Sequence, residues 1–150
     1  MSYIPPNAKW YIAEIVLKIT VEDEPRSVVH TNFVLIEARS PDEALERAVQ
    51  LGKEHEDSYR NPANRMVRIQ FCGLRDLNVI HDELEHGAEI TYQEEVGLSD
   101  SAIEKKVRPR DQLGVFRPLQ RKSAPDYSSK EILNEAMKMV STKGAGEPER

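Results

Sequence analysis

A chain of 150 residues with 31% charged side chains and a formal net charge of −5 has the size of one domain with one core. Lys and Arg are scattered among Asp and Glu, so the charge leaves no broad footprint for nucleic acid. The first nine residues lack a basic-then-apolar leader, no stretch is apolar enough to span a bilayer, and the single Cys72 cannot close an internal disulfide. Together these predict a soluble cytoplasmic protein with no part for a membrane.

Residues 1–8 read as a flexible lead-in to a domain over residues 9–96. From Trp10 to Val21 the side chains alternate: Tyr11, Ala13, Ile15, Leu17, Ile19 and Val21 share one apolar face. The other face is mixed, apolar near Trp10 and Ile12 and polar towards Lys18 and Thr20. A polar break with Pro25 follows. Ser27 to Ala38, rich in β-branched residues, then reads as a second strand paired with the first in a hairpin. Ser40-Pro41-Asp42-Glu43 carries the strongest local signal, a hydroxyl N-cap, a proline at the first helical position and a glutamate placed for a capping box. Ala44, Leu45, Ala48, Val49 and Gly52 define the expected buried stripe, with Gly52 allowing close approach to the sheet and the helix running to about Tyr59.

Asn61 to Asn64 ends that helix, and Met66 to Cys72 reads as a third strand with Val67, Ile69 and Phe71 on one face. Beyond Gly73 the apolar residues resume one step out of phase at Leu74, Leu77 and Val79, the signature of a β-bulge. Cys72, between Phe71 and Gly73, reads as a buried inert thiol. A polar turn from His81 to His86 leads to Ala88, Ile90 and Tyr92, which alternate with polar residues as a fourth strand.

From Gly97 the periodicity fades, prolines punctuate the chain and charge rises, as in a linker over 97–127. Ile132, Leu133, Ala136, Met137 and Val140 then space as a short amphipathic helix over 128–141, ahead of a disordered tail over 142–150. The predicted fold is α+β in the order ββαββ, a four-stranded antiparallel sheet with one helix across one face and a poorly ordered C-terminal tail.

Trp10-Tyr11-x-Ala13-Glu14, Leu35-Ile36-Glu37-Ala38-x-Ser40-x-x-Glu43-Ala44-x-x-x-Ala48, Gly52-Lys53 and Phe71-x-Gly73-x-x-Asp76-Leu77, followed by Asp82, Leu84 and Gly87-x-Glu89, stand in a characteristic order. In these residues the chain resembles the small bacterial domain-of-unknown-function family DUF4288, over about residues 9 to 92. The resemblance implies a compact bacterial cytoplasmic domain and carries over no catalytic residue; Trp10, Glu14, Gly73 and Asp76 are positions that match.

The residues that could carry chemistry are few. His81 and His86 flank Asp82, Glu83 and Glu85, a ligand-rich spacing that is also that of an acidic surface turn, so neither a metal site nor a cofactor is predicted. Glu14 and Asp76 each sit beside strong apolar positions, where a half-buried carboxylate could serve acid–base chemistry. The simpler fate is an ion pair with Arg39, Arg68 or Arg75. Neither a nucleophile elbow nor a phosphate-binding glycine loop is present.

One helix cannot cover four strands. The leading expectation is therefore a non-enzymatic module that pairs with itself or with another protein through the open sheet, with Trp10, Ile12, Glu14 and Asp76 as interface or cleft residues. The alternatives are a small hydrolase or ligand-binding protein using Glu14 and Asp76, and nucleic-acid contact through the basic tail residues Arg108, Arg110, Arg117, Arg121 and Lys122.

Overall fold

The computed structural model describes residues 3–118 and 124–129. A four-stranded antiparallel sheet is built from β1 (Trp10–Val21), β2 (Val28–Glu37), β3 (Asp57–Arg60) and β4 (Met66–Val79), in the spatial order β2-β1-β4-β3. The one long helix among the described residues, α1 (Pro41–Glu54), lies between β2 and β3 in sequence, so the order is ββαββ as the hydrophobic pattern predicts.

The hairpin of β1 and β2 keeps one register over ten consecutive partners, from Trp10 opposite Glu37 to Ile19 opposite Val28. Its inward row, Tyr11, Ala13, Ile15 and Leu17 with Ile36, meets Ala44 and Ala48 of α1 in the main core. Each fully buried Ile of this kind is worth about 1.5–3 kcal/mol relative to exposure. The helix begins as expected, with the Ser40 hydroxyl accepting from the Glu43 amide at 3.1 Å. The Glu43 carboxylate takes a different partner from the predicted capping box, pairing with Arg47 at 2.9 Å and Arg39 at 3.4 Å, one helical turn away on either side.

The buried stripe of α1 is Ala44, Ala48 and Gly52, with Leu51 packed beside it, whereas Leu45 is exposed. The stripe is rotated from the predicted one because small residues, not large ones, face the sheet and let the backbone come close. At Gly52 the approach is extreme: an added Cβ would stand 2.3 Å from the Phe71 ring.

Three sequence expectations give way here. The helix stops at Glu54 instead of Tyr59, because Asp57–Arg60 pairs with Met66–Ile69 as β3 and places Tyr59 opposite Val67. Cross-strand pairing outweighs helix propensity there, and Asn64 supplies the left-handed residue (φ 63°) that closes the intervening turn. The strand expected at residues 88–93 is irregular chain; Asp57–Arg60 supplies the fourth strand instead, at the edge beside β4, which itself continues through the bulge to Val79.

The third concerns Cys72, which is exposed and not buried. The β1–β4 register slips twice, between Glu14 and Ile15 and between Val16 and Leu17. Phe71 faces Leu17 and Gly73 faces Val16, which leaves Cys72 as the surplus residue of one bulge; Leu74 faces Ile15 and Asp76 faces Glu14, which leaves Arg75 as the surplus residue of a second. Gly73 has a φ of 138°, a conformation that glycine alone takes without strain. The two bulges bring Phe71, Leu74 and Leu77, three residues apart, all to the core face.

Beyond α1 a second small core of Ile19, Val21 and Val67 is flanked by Val28 and Tyr59. Residues 124–129, of which 124–127 read as the end of a linker and 128–129 as the start of a helix, strap as irregular chain across this end of the sheet. The buried Asn61 side chain (1% exposed) donates to the Asp126 carbonyl at 3.0 Å and accepts from the Arg65 amide at 2.9 Å. The Tyr59 hydroxyl donates to the Tyr127 carbonyl, and the Tyr127 ring stands edge-on to His30 with centroids 5.3 Å apart. The expected linker also holds a short helix, α2 (Asp100–Lys106), capped by Ser99, and a single 3-10 turn at Arg110–Gln112. The amphipathic helix expected over 128–141 and the tail over 142–150 lie outside the described residues from position 130 onward.

Candidate functional site

Because odd-numbered β1 residues face α1, the even-numbered ones face the opposite, outer side of the sheet, and the register carries that assignment to β2. Val29 lies opposite Lys18, Thr31 opposite Val16, Phe33 opposite Glu14 and Leu35 opposite Ile12. Among the described elements α1 alone packs extensively on the sheet, and it does so on the inner side. Val29, Phe33 and Leu35 are left 59%, 57% and 44% exposed.

The apolar surface is therefore not where the sequence put it. Ile12 is buried (6% exposed) and Trp10 half-buried, and Ile80, 4% exposed, bonds through its amide to the Trp10 carbonyl at 2.9 Å. The open surface belongs to the edge strand β2. Its sequence held the signal: Val29, Phe33 and Leu35 alternate with Val34 and Ile36, so both faces of β2 are apolar and one helix can cover only one of them.

Glu14 sits in the middle of this face. Arg75, released from the ladder by its bulge, reaches across to it: Nε donates to Glu14 Oε1 at 2.9 Å and Nη2 donates to the same oxygen. The guanidinium also lies over the Phe33 ring, 5.6 Å from its centroid, so one side chain of β4 touches β1 and β2 together. The ion pair expected for Glu14 is thus made with Arg75, one of the three arginines proposed for it.

Asp76 is the direct cross-strand neighbour of Glu14. Two carboxylates opposite one another repel. Here each has its own compensation, Arg75 for Glu14 and, for Asp76, the Leu77 amide and the Asn78 side chain, both at 2.9 Å. Asp76 is exposed and lines a cleft of about 580 Å³ between the end of β4 and residues 81–94, with Tyr11, Asp82, Glu89 and Tyr92 in its walls; Glu14 is not among the lining residues. The two carboxylates are neighbours in the sheet but do not meet in one cleft. Within the turn, Asp82 accepts from the Glu89 amide at 3.0 Å. Among the described residues no three His, Cys, Asp or Glu side chains are grouped to hold a metal ion.

Of the basic tail, Arg110 stacks on Phe116 at 4.0 Å, while Arg121 and Lys122 fall outside the described residues. No described helix is long and apolar enough to cross a membrane. At the strap, burial together with the carboxylate of Asp57 and the neighbouring Tyr127 and Asp126 holds the Tyr59 hydroxyl above its ordinary value.

The family model for a domain of unknown function, DUF4288, matches residues 10–92 of the chain. The chain belongs to the DUF4288 family. The match runs from the first residue of β1 past the end of β4, so the DUF4288 unit includes the sheet, α1, the two bulges and every residue of the outer face. The strap at 124–129 lies outside it. No curated protein and no solved structure matches the chain.

Proposed function

We propose that this DUF4288 domain is a non-enzymatic protein-interaction module that binds through the outer face of its sheet. The supporting observation is the exposed row of Val29, Phe33 and Leu35 on a regular strand, with Arg75 fixed over Phe33 by its bond to Glu14. Binding energy at protein interfaces concentrates in aromatic and arginine side chains held rigid before the partner arrives, and this face offers both. A residence in the bacterial cytoplasm goes with the reading, since an exposed, unpaired Cys72 suits a reducing compartment. The carboxylates weigh against the enzymatic alternative: Glu14 is committed to Arg75 and lies apart from the cleft that Asp76 lines.

Affinity capture from a lysate of the native host with the full chain, the Phe33→Ala variant and a Leu45→Ala control on α1 tests it. A protein retained by the wild type and the control, and held at least about tenfold more weakly by Phe33→Ala, is the expected result. Equal retention by all three, or by none, would remove the outer face as the binding surface.

A further inference from the structure

We infer that the free edge of β2 pairs with β2 of a second copy of this chain, antiparallel about a two-fold axis at Asn32. The inference goes beyond the outer-face reading, because it uses the backbone of the strand edge and names a different partner. Among the described residues no strand pairs with the far side of β2, so a ten-residue strand presents a row of unpaired N–H and C=O groups. Sheets ordinarily guard such an edge with a charge, a proline, a bulge or a short length.

The rest of this sheet does so. The opposite edge, β3, has four residues and carries Asp57 and Arg60, and β4 is broken by two bulges. Apart from Glu37 at its last position, β2 has none of these devices. Val28 to Ile36 contains no Asp, Glu, Lys, Arg or Pro, and its pairing with β1 runs without a register shift.

The occupant follows from what the strand would meet in its own reversed copy. With the axis at Asn32, Val28 faces Ile36, Val29 faces Leu35, His30 faces Val34 and Thr31 faces Phe33, each twice by symmetry. Apolar residues meet apolar residues at four of these positions, two from each of the Val28–Ile36 and Val29–Leu35 pairs. At each end Ser27 comes opposite Glu37, whose charge is met in its own chain by Lys9 at 3.8 Å, while Arg26 is met by Glu24 at 2.9 Å, so no unpaired like charges face each other there. The strand is thus complementary to itself in apolar content, which an arbitrary peptide adding to the edge would not need. The product is a continuous sheet of twice four strands, with the outer rows of Val29, Phe33 and Leu35 from both copies side by side.

Light scattering on the eluting full-length chain at micromolar concentration is expected to give twice the chain mass. Asn32→Asp and Asn32→Lys each place like charges across the axis, so each variant alone should weaken the dimer at least about tenfold, and an equimolar mixture of the two should restore it. Circular dichroism checks that each variant is folded. If either is not, the Cys72→Ser, Asn32→Cys chain serves instead, and it should form a disulfide-linked dimer on mild oxidation under native conditions. A monomeric wild type, variants as dimeric as the wild type, a folded mixture that stays monomeric, or a cysteine variant that stays uncrosslinked would each overturn the pairing, as would an extended peptide of another protein found on this edge. A dimer that captures no other protein would sink only the outer-face reading, and a monomer that still captures one through Phe33 would sink only this one.

Discussion

The two ends of the inner sheet face are closed by different means. Over Tyr11 to Leu17 the cover is α1, which follows β2 directly and whose capping signal, small-residue stripe and proline are contiguous in the chain. Against Ile19, Val21 and Val67 packs Tyr59, which with Asn61 is tied by hydrogen bonds to residues 124–129, a segment far along the chain. The first end is held by close packing of apolar surface. The second depends on a buried amide and a phenol that bond to carbonyls of a distant segment, where geometry matters more than area.

The comparison breaks most visibly at its apolar end. Ile15→Ala empties a fully buried site under α1 and should cost about 3–4 kcal/mol, read as a lower urea midpoint at unchanged slope. At the strapped end Asn61→Ala removes both bonds of the buried side chain, leaving the Asp126 carbonyl and the Arg65 amide to find other partners. A loss of about 2 kcal/mol is expected, with faster amide hydrogen exchange in residues 124–129 and no change in α1. Unchanged exchange in 124–129 would show that the strap does not depend on Asn61.

The smallest effect is the most specific. Tyr59→Phe should cost about 1 kcal/mol at neutral pH by deleting the donor to the Tyr127 carbonyl. The Tyr59 hydroxyl is held above the ordinary value of 10.0, so the folded state keeps its proton longer than the unfolded one. Its contribution is complete below that value and is lost as pH rises through the raised one. Denaturation curves on either side of pH 10 should therefore show a fall for the wild type that the phenylalanine variant lacks; parallel falls would assign it to other groups.

The same division explains what the sequence made legible. Strand β1, the start of α1, the close seat of Gly52 and the bulge at Gly73 are written in local periodicity and cap chemistry, and all are present in the structure. The end of α1 was not legible, because Asp57–Arg60 becomes a strand only when Met66–Ile69 is beside it. Ile12 looked exposed for a related reason. Its alternation assigns a face, but burial on that face depends on what packs over it, which period alone does not state. The partner of Glu14 was narrowed to three arginines and no further, since Arg75 reaches it only by being the unpaired residue of a bulge. The strap was invisible, because six residues of mixed polarity carry no period and Asn61 does not name the carbonyl it will bond.

The twin bulges of β4 have a consequence for chain length. Dropping a residue from the interior of a strand ordinarily turns every later side chain to the wrong side of the sheet. In β4 the surplus positions, Cys72 and Arg75, stand outside the alternation, so the chain can shorten by one at either place while Leu74, Leu77 and Val79 still look toward α1. A deletion at Cys72 forfeits nothing but an exposed thiol; at Arg75 it also strips Glu14 of its counter-ion. Each bulge is thus a slack link, a place where the ladder tolerates a change in length that the rest of the sheet would not.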